Sequence, residues 1–218
     1  MNIFFDVDGV LIHSYRGDRS RQETWDHNIE ADLGVPRNAF QKALFGTKAG
    51  DEEPLFHSVL RGELPLEDAL AIVLPQIGVD VEASTLIAYW LAQDSSINDE
   101  LFSVVDKLCD VPDISLFLAT AQEHHRARYL WHNLEFRRYF RKMYYAADLG
   151  LLKDSPDFFT KIERLLTHDF VDVNAAGGLL FFDDRQDIVE HARNAGWDAY
   201  LYQQVSDVTD HPRLKLKP

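Results

Sequence analysis

An apolar run, Ile3-Phe4-Phe5, leads straight into Asp6-Val7-Asp8-Gly9 and on to Val10-Leu11. Ile, Phe and Val suit a buried strand, whereas an unpaired buried carboxylate is costly. Asp6 and Asp8 should therefore lie at the carboxyl edge of a sheet, where α/β proteins place their ligands. The natural counter-charge for such oxygen donors is a hard divalent cation. These residues also fit a strand that simply runs into an acidic Asp-Gly turn. A second run weighs against that plainer reading. Gly178-Leu179-Leu180-Phe181-Phe182-Asp183-Asp184 repeats the design and is followed by the helix-like Ile188-Val189-Glu190-His191-Ala192. Two apolar strands that both end in paired aspartates imply one shared site.

The bulk properties narrow the partners. At 218 residues the chain fits one domain, or one domain with an insertion. A hydrophobic share of 46% is enough for a real core, and the net charge of −14 argues against a nucleic-acid or anionic-membrane surface. Small phosphorylated substrates remain open, because they need only local positive charge. The single cysteine, Cys109, rules out an internal disulfide and reads as a small buried or half-buried thiol rather than a nucleophile. With the first strand starting at Ile3 and no apolar run of membrane-spanning length, the expectation is a cytoplasmic protein. The sequence does not specify an oligomeric state.

Periodicity divides the chain into two styles. Residues 21 to 93 contain helical patterns only: Arg21 to Leu33, Pro36 to Phe45, Leu55 to Arg61, Pro65 to Ile77 and Glu82 to Gln93. Several of these stop at a glycine, as helices commonly do. Between them, Gly46 to Pro54 reads as a flexible loop. From about residue 96 strands and helices alternate, with strands at Ile114 to Ala119, Lys142 to Ala146, Gly178 to Phe182 and Ala199 to Tyr202. That alternation predicts an α/β fold: a Rossmann-like parallel sheet with helices on both faces. The helical block becomes an inserted α-helical cap over the strand ends. The expected division is a core of residues 1–14 and 96–218 and a cap of residues 15–95.

Four strand or loop ends converge in this arrangement: Asp6 with Asp8, Thr120, Lys153, and Asp183 with Asp184. Acids hold a cation, while a hydroxyl and an ammonium hold anionic oxygens. The set suits a metal-bridged phosphoryl group. In this order it resembles the haloacid dehalogenase-like (HAD) hydrolase superfamily, in its branch with a helical cap after the first strand. Asp6-Val7-Asp8-Gly9-Val10 is similar to the first motif of that family, Leu118-Ala119-Thr120 to the second, Lys153 to the third and Phe182-Asp183-Asp184 to the fourth. The resemblance covers essentially the whole chain.

The resemblance implies a nucleophile, Asp6, that forms an aspartyl-phosphate. It implies that Asp8 is general acid for the leaving alcohol and then general base for water, its neutral form favoured by the carboxylates nearby. Mg²⁺ would be held by Asp6, the Asp8 main-chain carbonyl and Asp184, with Asp183 in support. Thr120 and Lys153 would bind the substrate phosphate. The chain departs from the family pattern in having Ala121-Gln122 where an Asn often follows the threonine, Asp154 where Pro often follows the lysine, and Arg185-Gln186-Asp187 after the fourth motif.

The weaker signals read as structural. His124-His125 fit a solvated helix start, Trp25, Trp90 and Trp131 fit packing positions, and Lys48 fits a solvated loop lysine, although it could reach over a substrate. With no cysteine partners and no His-x-x-His pair, zinc is not expected. The favoured activity is hydrolysis of a small phosphorylated metabolite. Phe56-His57-x-x-Leu60-Arg61-Gly62-Glu63-Leu64 is similar to relatives acting on sugar phosphates. The competing readings are a phosphomutase of the same family, a 2-haloacid dehalogenase, disfavoured because such enzymes lack an acid at the position of Asp8 and need no metal, and a catalytically idle binding module.

Overall fold

The computed structural model describes residues 1–13, 24–46, 53–169 and 178–214. Strand β1 (Asn2–Phe5) is buried on both faces, as its unbroken apolar run requires. Ile3 and Phe5 enter one apolar layer and Phe4 enters the other. Four further strands flank it: β2 (Ser115–Thr120), β3 (Lys142–Tyr145), β4 (Leu179–Asp183) and β5 (Asp198–Leu201). Among the described residues they form one sheet, in the order β3-β2-β1-β4-β5, and each adjacent pair runs parallel. Phe5 pairs with Leu118 on one side and Phe182 on the other. The chain leaves β1 toward β2 and later crosses to β4 on the opposite side. The crevice between β1 and β4 is therefore the topological switch point, where open parallel sheets bind ligands.

Helices cover both faces of this sheet. Helices α6 (Asp99–Cys109) and α7 (His124–His132) supply Leu101, Val105, Leu108 and Leu130 to the layer of Ile3 and Phe5. Helices α8 (Ala146–Leu149), α9 (Asp157–His168) and α10 (Gln186–Asn194) supply Leu149, Phe158, Phe159, Ile162 and Ile188 to the layer of Phe4. Phe4 has ring centroids at 5.0 Å to Phe117 and 4.6 Å to Trp197. Truncating so enclosed an aromatic typically costs about 3–5 kcal/mol, so the strand that carries Asp6 is firmly seated. A third apolar cluster belongs to α1 (Ile29–Leu33), α2 (Arg37–Phe45), α3 (Leu55–Leu60), α4 (Leu66–Gln76) and α5 (Ala83–Gln93), around Phe40, Leu70, Val73 and Leu86.

The structure modifies several sequence expectations. The helix expected over Arg21 to Leu33 is helical only at Ile29–Leu33 among its described residues. Asp26 lies in the turn before it and is bonded by Thr24, Arg37 and Gln41. Asn and Asp side chains that bond locally favour turns over helix interiors. Helices α8 and α11 (Ser206–Thr209) are single turns, too short to leave a periodic signal. Cys109 is exposed rather than buried, and its thiol meets the Tyr139 carbonyl oxygen at 3.6 Å. Desolvation, then Asp106 and Asp110, push that thiol upward, which keeps it from acting as a nucleophile. Lys48 and most of the expected 46–54 loop lie outside the described residues.

Candidate active site

Asp6 directly follows β1, and its amide still donates to the Phe182 carbonyl at 2.9 Å, so the ladder with β4 carries on to this residue. The chain then turns sharply: the Val7 carbonyl accepts from the amides of Val10, Leu11 and Ile12. Gly9 makes the turn possible, with φ of +85°. A Cβ there would lie 2.2 Å from Asp184 Oδ2. Only a residue without a side chain lets the loop after β1 press against the acid at the end of β4.

Asp6, Asp183 and Asp184 each offer a carboxylate oxygen, and these oxygens lie within 4.8 Å of one another. Lys153, from the loop after α8, enters the same space almost fully buried. Its Nζ donates to Asp183 Oδ2 at 2.5 Å and forms an ion pair with Asp6 Oδ1 at 2.7 Å. Burial disfavours the charge on Lys153, but Asp183 and Asp6 outweigh burial and raise its pKa. Asp183 is fully engaged, since its Oδ1 accepts from the Arg185 amide at 2.9 Å. Asp6 Oδ1 is buried and has no aligned hydrogen bond. Burial pushes the Asp6 carboxyl up to about 7; Lys153 pulls it down, and Asp183 and Asp184 push it further up. A buried cluster of three acids with one ammonium is suited to a divalent cation. Asp6, Asp183 and Asp184 each present a ligand atom to this cluster, and both oxygens of Asp183 also hold protein donors.

Thr120 ends β2 and is fully buried, and its Oγ1 accepts from Gln122 Nε2 at 3.3 Å. Asp8 takes a different position from the one expected of it. Its side chain stands outside the acid cluster. Oδ1 accepts from Arg126 Nη2 at 3.0 Å and Oδ2 from Gln122 Nε2 at 2.6 Å. The charge beside Asp8 is thus a guanidinium, not the carboxylates. Arg126 is buried in the first turn of α7, and its Nη2 also lies 3.5 Å from Asp94 Oδ2, at the end of α5. Burial lowers the Arg126 pKa, and Asp8 with Asp94 more than restores it.

Arg126, Gln122 and Asp94 were not singled out as site residues from sequence. Gln122 carried only a faint signal, as the neighbour of Ala121, which stands where the resembled family often has Asn. Arg126 and Asp94 carried none. The histidines serve structure: His124 Nδ1 lies 3.2 Å from the Tyr145 hydroxyl, and His125 Nε2 lies 3.1 Å from Glu67 of α4. Trp25 and Trp90 stack at 4.3 Å in the helical cluster, as packing residues, and Trp131 packs against the sheet layer.

No protein-family model and no curated protein sequence matches this chain. Solved structures do. A predicted HAD-like family hydrolase from Porphyromonas gingivalis aligns over 99% of this chain and 98% of its own, at 22% identity and a TM-score of 0.72. A HAD family enzyme from Bacteroides thetaiotaomicron, solved with magnesium and inorganic phosphate, covers 92% of both chains at 17% identity and a TM-score of 0.68. A 2-haloacid dehalogenase from Pseudomonas syringae pv. tomato covers 92% of this chain and 85% of its own, at 21% identity and a TM-score of 0.60. At these identities the likeness establishes the fold alone: an α/β, Rossmann-like parallel sheet.

Proposed function

We propose that this protein is a HAD-like hydrolase: a Mg²⁺-dependent phosphatase of a small phosphorylated metabolite, acting in the cytoplasm. Residues 15–95 would form its cap over a core of residues 1–14 and 96–218. The observation that carries the reading is Asp6, a buried strand-end carboxylate with an unaligned oxygen, beside Lys153 and two further acids at the switch point. The magnesium and phosphate bound by the Bacteroides enzyme of the same fold support the choice of cofactor and group. No described helix is long and apolar enough to cross a membrane, which is compatible with a cytoplasmic site of action.

In this reading Asp6, Asp184 and the Asp8 main-chain carbonyl hold the metal, and Asp183 fixes Lys153. When bound, Mg²⁺ supplies neutralising charge to the phosphoryl oxygens. Lys153 and Thr120 hold the phosphate, and Lys153 offsets the charge on Asp6. The Asp6 carboxylate attacks phosphorus in line, and the bond from phosphorus to the alcohol oxygen breaks. Asp8 gives its proton to that oxygen, then takes one from the water that attacks the aspartyl-phosphate, which frees Asp6 and inorganic phosphate. Arg126 and Gln122 are positioning residues for Asp8.

The test is release of inorganic phosphate from a panel of small phosphate esters, with Mg²⁺ and with EDTA. The proposal expects release with Mg²⁺ and none in chelator. Phosphate moved within the substrate instead of released into water would indicate a mutase. Halide release from a 2-haloacid in EDTA, without any phosphate release, would overturn the reading.

A further inference from the structure

One side chain joins Asp8 to the helical region. Arg126 lies in the first turn of α7, where the Glu123 carboxylate accepts from its amide and from that of His125. The backbone is fixed at this point, and the guanidinium is the part left to be aimed. The side chain is only 5% exposed, and its Nε and Nη1 have no hydrogen-bond partner. Its polar contacts run through Nη2, which lies 3.0 Å from Asp8 Oδ1 and 3.5 Å from Asp94 Oδ2. Buried donors without acceptors are costly, so the direction of this guanidinium rests on those two carboxylates. Asp94 is also where the helical region hands the chain back to the sheet. It caps α5, its amide donating to the Trp90 carbonyl at 3.0 Å. Just beyond it, the Ser96 carbonyl accepts from the His13 amide at 2.7 Å, and the Asn98 amide donates to the Leu11 carbonyl at 2.9 Å. A further contact brings the helical region onto the same turn of α7, where His125 Nε2 lies 3.1 Å from Glu67 of α4. The start of α7 thus meets α4 and the end of α5, and through Arg126 it meets Asp8.

Resting on the phosphatase reading above, we propose that Asp94 is a positioning residue for the acid–base steps: it aims Arg126, and through Arg126 it aims Asp8. The helical region then sets the direction of the proposed acid, and Asp94 itself touches neither substrate nor metal. Without the Asp94 carboxylate, Nη2 keeps one anchor of two. The guanidinium is then free to turn toward acceptors for Nε and Nη1, and Asp8 Oδ1 loses its fixed donor. Gln122 Nε2 still holds Asp8 Oδ2 at 2.6 Å, so Asp8 is turned rather than released. A displacement of about 1 Å in a reacting group can cost about 10²-fold. The loss falls on the steps in which Asp8 gives a proton to the alcohol oxygen or takes one from water. It spares attack by Asp6 on an ester whose leaving group needs no proton.

Asp94→Ala tests this by rapid quench with Mg²⁺, on an alkyl phosphate and on p-nitrophenyl phosphate. Phosphoryl transfer from the alkyl ester should slow by about 10–100-fold. The first burst of nitrophenolate should slow by less than about threefold. Asp94→Asn keeps an oxygen opposite Nη2 and should show the same selectivity with a smaller loss. In an Arg126→Met background, Asp94→Ala should cost less than about twofold, since a residue that acts through Arg126 has nothing left to act on. An equal effect on both esters, or the full loss in the Arg126→Met background, would overturn this inference and leave the phosphatase reading standing. A parent protein that hydrolyses no ester would overturn the phosphatase reading, and a crystal structure of Asp94→Ala then decides the inference alone. A guanidinium turned away from Asp8 would uphold the link from Asp94 to Asp8, and Nη2 still bonded to Asp8 Oδ1 would overturn it.

Discussion

The helical region and the sheet edge each bury an aspartate, and the two are treated in opposite ways. Asp26, in the helical region, is fully buried and receives Thr24, Arg37 and Gln41, with Arg37 Nη2 at 3.1 Å. Burial would raise its pKa, yet those hydrogen bonds and the Arg37 charge together lower it. Asp6, at the sheet edge, has one cation and two neighbouring acids, and burial takes it up to about 7. A carboxylate kept for structure is saturated with donors. Asp6, the proposed nucleophile, is left short of them, at a cost in stability that a bound cation or substrate would offset.

The contrast is broken most sharply by substitution. Asp6→Asn should cut phosphate release by at least about 10³-fold, because an amide cannot accept the phosphoryl group. Activity within tenfold of the parent, with deamidation excluded by mass spectrometry, would remove Asp6 from the mechanism. Asp8→Asn should slow an alkyl phosphate by about 10²–10⁴-fold. Its first step with p-nitrophenyl phosphate should suffer less, since nitrophenolate leaves without a proton. Phosphoenzyme should then accumulate and be trapped by acid quench. Gly9→Ala should raise the Mg²⁺ concentration for half-maximal activity by about 10–100-fold, because its Cβ must displace Asp184.

Asp26→Ala sharpens the comparison from the other side. It should lower the melting temperature by on the order of 5 °C, through the stranded partners Arg37 and Gln41, with kcat on the best ester unchanged. The smallest effect is linked to pH. Folded Asp6 binds its proton up to about 7, against an ordinary value of 3.8. Its stabilising contribution is therefore complete below the lower value and is lost as pH rises through the upper one. In metal-free buffer the melting temperature of Asp6→Asn, relative to the parent, should climb by a few degrees from about pH 5 to about pH 8. A flat difference would show that Asp6 is ionised in the fold throughout.

The parallel sheet and its acid-ended strands were legible because burial and charge conflict openly in Phe5-Asp6 and Phe182-Asp183. Lys153 and Thr120 came from motif order, and the structure brings Lys153 to Asp6 and Asp183. Asp8 was placed among the acids because a single residue, Val7, separates it from Asp6. The turn around Gly9 instead sends its side chain toward Arg126. Arg126 was illegible, because one arginine in a polar helix start looks like any other. What distinguishes it is burial against Asp94, a partner 32 residues earlier in the chain, at the end of α5. Contacts between the helical region and the sheet edge leave no periodic trace in either segment.

The position of β1 at the centre of the sheet also sets an order of assembly. Its partners are Ser115 onward and Leu179 onward, so the ribosome makes this strand long before either neighbour exists. At ordinary elongation rates the wait for β4 is on the order of ten to thirty seconds. Through that interval Ile3, Phe4 and Phe5 must be shielded by transient contacts or by chaperones. The acid cluster cannot exist until β4 docks. Nascent chains halted before Leu179 should therefore show no Mg²⁺ protection against protease, however well their helical region has folded.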